Sequence, residues 1–167
     1  DYFKGEGSIQ AKSGEAIAQQ AVVDAIITKH DKATNQRKFN AVLATASINN
    51  AIEHFRLFKE IQKQKLAENP DFIPLNIACV FSPPAEGNKD IMQIQEDLEQ
   101  EKEDNKQNPE EKKAALKEII SDYNSQFDTK HDINNFDLYY QDVQSRIKNQ
   151  KYSNKDDPHK KKIDITI

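Results

Sequence analysis

Apolar residues recur along this chain in two rhythms. Ile48, Ala51, Ile52, Phe55, Phe58 and Ile61 fall every three or four positions, which predicts one continuous stripe on a helix over about 48–66. Ser47 stands at its N-cap position, and Asn69-Pro70 ends it. Leu116, Ile119, Ile120, Tyr123 and Phe127 stripe a second helix over about 110–127. Phe136, Tyr139, Tyr140, Val143 and Ile147 stripe a third over about 135–149, with Asn134 or Asn135 as its cap. Helices are also expected over about 15–30, behind Ser13, and over about 89–104. The second rhythm is the short apolar run bounded by polar residues or proline. Residues 39–46 (FNAVLATA), 76–81 (NIACVF) and 163–167 (IDITI) read as buried strands.

Strand, helix, strand, helices, strand, with strands of the all-apolar type, predicts an α/β fold: a parallel sheet with helical crossovers. Three strands make a poor sheet alone, the chain opens on Asp1, and it stops at Ile167 within an alternating run. It is therefore read as a piece of a larger protein, with partner strands elsewhere. Residues 1–14 hold three of the four glycines (Gly5, Gly7, Gly14) without apolar periodicity, and read as a linker.

At 167 residues there is room for one domain and hardly two. The composition, 36% hydrophobic and 31% charged with a net charge of −4, suits one core under a large solvated surface. No stretch approaches the ~20 apolar residues of a membrane span, so no membrane partner is expected. One cysteine, Cys79, excludes an internal disulfide and points to a reducing, cytoplasmic compartment. Charge is uneven. Residues 96–111 carry eight acids against Lys102 and Lys106, a balance of −6, and read either as a solvated helix or as a docking surface for a basic partner. Residues 151–162 carry five lysines against Asp156 and Asp157, a balance of +3, and read either as a solvated surface loop or as a phosphate contact through Lys160, Lys161 and Lys162.

Catalytic chemistry is sparse. Gly87 stands alone, without the second glycine and Lys-Ser/Thr pair of a phosphate-cradling loop, so no nucleotide cofactor is expected on this piece. His30, His54, His131 and His159 are scattered, read as structural, and leave no metal site. Cys79 sits within an apolar strand and reads as a small hydrophobe. Pro70-Asp71 followed by Glu110-Glu111-Lys112 mimics a metal-dependent nuclease pattern, but Glu110 and Lys112 open a helix where acids favour the dipole. Tyr139-Tyr140 with Arg146 and Lys148 could stack bases, yet their spacing reads as a core stripe with one tyrosine at its edge. No catalytic residue is assigned. The turn Ala44-Thr45-Ala46-Ser47 is the most informative short feature. A parallel strand running into a Ser-capped helix aims free N–H groups and a positive dipole end at one point, which suits a phosphate.

Residues 39–59 (FNAVLATASINNAIEHFRLFK) resemble the opening of the second RecA-like motor domain in the R subunit of type I restriction enzymes. Residues 77–82 (IACVFS), 119–124 (IISDYN), 136–140 (FDLYY) with Arg146-Ile-Lys148, and the closing IDITI are similar to further segments of that family, in order. The resemblance implies a partial RecA-like, P-loop NTPase type sheet over 15–167, with a long helical insertion at about 89–150. It implies a parent that couples ATP and Mg²⁺ chemistry to translocation on double-stranded DNA and then cleaves it, alongside modification and specificity subunits. It carries DNA-backbone contact onto Thr45 and Ser47, and more weakly onto Ser82, and leaves this piece inactive by itself. Two alternatives stay open: an interaction module built on the acidic insertion, and the second lobe of another superfamily 2 helicase.

Overall fold

The computed structural model describes residues 2–148 and 162–167, with side chains from residue 14 onward. Among the described residues the helices and strands follow in order: α1 (Tyr2–Ala33), β1 (Ala41–Val42), α2 (Ile48–Glu68), β2 (Ile77–Ala78), α3 (Lys89–Ile94), α4 (Glu99–Asp104), α5 (Pro109–Phe127), α6 (Phe136–Lys148) and β3 (Ile165–Thr166). The three strands form one parallel sheet in the order β1-β3-β2. Ile165 lies beside Ala41 and Ile77, and Thr166 beside Val42 and Ala78. Last in sequence, β3 is central in space, so the helices between β2 and β3 form one long crossover.

The predicted helices are present, with altered limits. The first extends back to Tyr2, taking helical backbone into the stretch read as a linker. The stretch expected as one helix over about 89–104 divides into α3, a 3₁₀ turn at Gln95–Asp97, and α4. Asp132, rather than Asn134 or Asn135, caps the helical entrance before α6: its side chain accepts from Asn134 N, and a 3₁₀ turn at Ile133–Asn135 leads in. The strands are far shorter than their apolar runs, because only two residues of each complete the ladder.

The apolar stripes explain the packing. Ile48, Ala51, Ile52, Phe55, Phe58 and Ile61 of α2 are buried, as are Leu116, Ile119, Ile120, Tyr123 and Phe127 of α5. Phe136, Tyr139 and Val143 of α6 join the same core, and Tyr140 stays at its margin. Tyr139 sends its hydroxyl to the Cys79 carbonyl, pinning α6 to the residue after β2. Cys79 is fully buried, and burial pushes its thiol well above the ordinary cysteine range, so it packs as a small apolar residue. Across α2 and α5, Lys59 pairs with Asp122 at 2.7 Å and Arg56 with Glu118 at 3.0 Å. Such half-exposed pairs orient helices more than they stabilise them. Among the described residues, no helix is long and apolar enough to cross a membrane.

Candidate nucleic-acid interface

The carboxyl edge of the sheet is where both strand-to-helix turns arrive. Ser47 is extended (φ −157°, ψ 166°), and its hydroxyl accepts from Asn50 N at 3.2 Å, a side-chain N-cap for α2. Thr45 Oγ1 donates to the Ser47 carbonyl at 3.3 Å, which steadies the turn. Both side chains are half-buried and line a cleft of about 430 Å³ together with Thr166, Glu101 and Asp104. The first amide of α2 is not left to solvent. Ile48 N donates to Asp104 Oδ2 at 3.0 Å, and Gln100 Nε2 donates to Asp104 Oδ1 at 2.9 Å.

Ser82 occupies the equivalent turn after β2, but it is 2% exposed. Its N and Oγ both donate to Glu101 Oε2, at 2.8 and 2.7 Å, and Gln95 Nε2 donates to its Oγ at 3.0 Å. Asn105 Nδ2 donates to the Ser82 carbonyl at 2.8 Å. The weaker candidate is thus enclosed by α4 instead of open at the edge.

The basic candidates part company. Lys160 and Lys161 lie outside the described residues. Lys162 precedes β3, and in a parallel sheet that puts it at the end opposite Thr45, Ser47 and Ser82. It is 4% exposed, and its ammonium donates to the Arg37 carbonyl. Burial lowers its pKa, with Asp164 opposing and Arg37 adding to the shift. This corrects the expectation of a surface phosphate contact at Lys162: the side chain serves a buried polar cluster. In that cluster Asp164 Oδ2 accepts from Asn76 N at 2.8 Å, and Arg37 pairs with Asp31 at 2.7 Å.

The remaining chemical candidates occupy structural positions. His54 Nδ1 is 2.7 Å from the Asn50 carbonyl, and His131 Nε2 is 3.4 Å from Asp142 Oδ2. His30 is buried, and His159 lies outside the described residues. The nuclease-like set does not converge. Asp71 sits in the turn after α2, Lys112 is buried with its ammonium on the Gln107 carbonyl, and Glu110 pairs with Lys113 at 3.5 Å. Among the described residues, no three His, Cys, Asp or Glu side chains gather as a metal would require. Gly87 adopts a positive φ of 83° in the tight turn before α3, and no lysine-hydroxyl pair follows it to grip a nucleotide.

Glu101 and Asp104 are the site residues that sequence reasoning missed. They belong to the acidic run that reads as a solvated helix or a docking surface, yet they face inward and accept from the two strand-end turns. The available signal is periodic: Glu101 and Asp104, with Asn105 as the C-cap, fall at i, i+3 and i+4 along a helix with no apolar residue.

Residues 37–167 match the family model described as type I restriction enzyme subunit R domain 3. Over 124 residues the chain is 30% identical to the type I restriction enzyme SauCOLORF180P endonuclease subunit of Staphylococcus aureus (strain COL). It is equally similar to the SauMSSORF170P endonuclease subunit of strain MSSA476. The matched stretch covers 74% of this chain and 11% of the length of each relative.

Proposed function

The chain belongs to the type I restriction enzyme subunit R domain 3 family, and from that premise we propose that it supplies part of the second RecA-like lobe of an ATP-driven, DNA-translocating restriction subunit. In this reading the turn from Thr45 to Ser47 touches the backbone of double-stranded DNA without reading sequence. The observation that carries it is the Ser47-capped N-terminus of α2 at the carboxyl edge of a parallel sheet, where the helix dipole favours an anion and the Asp104 carboxylate already meets the Ile48 amide as one. Ligands of open α/β sheets bind at that edge.

The division of labour follows from what these residues can and cannot do. Nothing around Gly87 fits a triphosphate, so ATP and Mg²⁺ chemistry belongs to other parts of the parent, as does cleavage. The proposed unit runs from residue 15 to residue 167, with its helical insertion at about 89–150, and works in the cytoplasm beside modification and specificity subunits. Its contribution is mechanical and electrostatic: a rigid edge that holds a phosphate while the motor advances.

In the rival reading, a docking module built on the acidic insertion, the surface is Glu96, Asp97, Glu99, Glu103, Glu110 and Glu111, which are exposed, while Glu101 and Asp104 bond inward. Fluorescence anisotropy with a mixed-sequence duplex tests the proposal. Weak binding that fades as salt rises, with negligible ATP turnover, is the expected result. Binding absent even at low salt would overturn the DNA contact, and measurable ATP turnover would overturn the assignment of hydrolysis elsewhere.

A further inference from the structure

The two turns that end β1 and β2 already hold an anion, and the chain itself supplies it. Asp104 accepts from Ile48 N, and Glu101 accepts from both N and Oγ of Ser82. The two acids are three residues apart on α4, so one face of that six-residue helix spans both turns. What holds α4 there is polar. Its sequence is Glu-Gln-Glu-Lys-Glu-Asp, and none of its side chains is buried. An apolar anchor would be indifferent to a competing anion, whereas carboxylate-to-amide contacts are displaced by one.

A second observation points the same way. Thr166 is 5% exposed and lines the same cleft, and its hydroxyl has no hydrogen-bond partner among the described residues. Buried hydroxyls are ordinarily paired. A phosphate group brings more oxygens than a carboxylate, and with α4 lifted it would offer an acceptor to the buried Thr166 hydroxyl.

We infer that α4 is an electrostatic strap: Glu101 and Asp104 occupy the amide sites that backbone phosphates of a nucleic acid take when α4 lifts, so closure and binding exclude one another. The inference rests on the DNA-backbone reading of Thr45 and Ser47 and adds its regulation. A site that is competent only while the strap is open shows an apparent affinity reduced by the open fraction. Events elsewhere in the parent that lift α4 would then switch DNA grip on, and α4 closing would release it.

Three proteins test it: the wild type, Glu101→Gln/Asp104→Asn, and a control, Glu103→Gln/Glu111→Gln, that removes equal charge from exposed positions. Duplex affinity is measured by anisotropy at low salt. Amide hydrogen exchange at Ile48 and Ser82 is followed with and without inorganic pyrophosphate. The strap variant is expected to bind duplex about tenfold more tightly than the control, as for a strap closed in about nine molecules of ten. Its Ile48 and Ser82 amides should exchange faster than in the wild type and be slowed again by pyrophosphate.

Equal duplex affinity in the two variants overturns the strap and leaves the DNA contact standing. Absence of duplex binding in all three overturns the DNA contact, and the exchange data then decide the strap alone. Protection by pyrophosphate in the strap variant supports it, and unchanged exchange overturns it. Should the strap variant melt far below the control, Gln100→Ala takes its place. That change removes the donor to Asp104 Oδ1 and spares both amide contacts, and the same shifts are expected in smaller size.

Discussion

Gln126 holds the peptide groups of Ile77 as a neighbouring strand would: its Oε1 accepts from Ile77 N at 3.1 Å, and its Nε2 donates to the Ile77 carbonyl at 2.9 Å. Ile77 lies on β2, an edge strand whose other side pairs with β3. Two residues earlier the device repeats. Gln62 Oε1 accepts from Leu75 N at 2.6 Å, and Nε2 donates to the Leu75 carbonyl at 3.2 Å. One amide comes from α5 and the other from α2, so the helices that cover the sheet also close its edge. Unpaired edges invite pairing with other chains, and these glutamines remove that opportunity without another strand.

Removing either amide strands a donor and an acceptor. Gln62 is 5% exposed, so Gln62→Leu should cost about 2 kcal/mol, and Gln126→Leu, at a half-buried position, about 1 kcal/mol. Urea unfolding measures both. Light scattering of Gln126→Leu should also show faster self-association than the wild type.

Ser47 has a structural duty separable from any DNA contact. Ser47→Ala should lower stability by about 1 kcal/mol through loss of the Asn50 N contact, while Ser47→Asn, a side chain that still caps, should restore it. Denaturation of the two variants reads the cap. Duplex affinity that follows the hydroxyl instead of the stability would separate phosphate contact from capping.

Asp142 is the shared acceptor for Tyr123, at 2.5 Å, and for Arg146, at 2.9 Å. Burial alone would raise its pKa, but hydrogen bonds from Tyr123 and Arg146 hold it below the usual carboxylate value. A depressed carboxyl stabilises the fold above its unfolded pKa and ceases to do so as pH falls through the folded one. Asp142→Ala should cost about 3 kcal/mol, because Arg146 is 4% exposed and its charge loses this carboxylate. Urea midpoints measured at neutral pH check the size.

His30 sets a second pH response in a different window. Burial lowers its pKa from 6.5, with Asp164 and Asp31 opposing and Arg37 and Lys162 assisting. The folded state therefore binds fewer protons than the unfolded one as pH drops below 6.5. Its share of stability is complete above that value and is lost on acidification. Urea midpoints from about pH 7.5 to about pH 5.5 should fall in the wild type and fall less in His30→Met. An equal fall in both would locate the titration elsewhere.

The site was legible only in part, and the reason differs residue by residue. Ser47 could be read as a cap because its partner, Asn50, is three positions away and capping is local. Ser82 and Lys162 share their candidate chemistry with exposed residues, and only packing shows one enclosed by α4 and the other turned to the Arg37 carbonyl. Gln62 and Gln126 looked like ordinary polar positions on helices, since an amide that completes a sheet edge carries no periodic signal.

What the amino-acid order determined by itself is local. The stripes on α2, α5 and α6, the Ser47 cap and the parallel α/β class all arise from contacts within a turn or two of helix and from short apolar runs. Tertiary structure decided the rest. It placed β3 between β1 and β2, seated Glu101 and Asp104 on turns 19 and 56 residues away, and sent Lys162 to the opposite end of the sheet. A carboxylate is equally at home in water and on an amide, so its destination is set by which turns the folded backbone brings within reach.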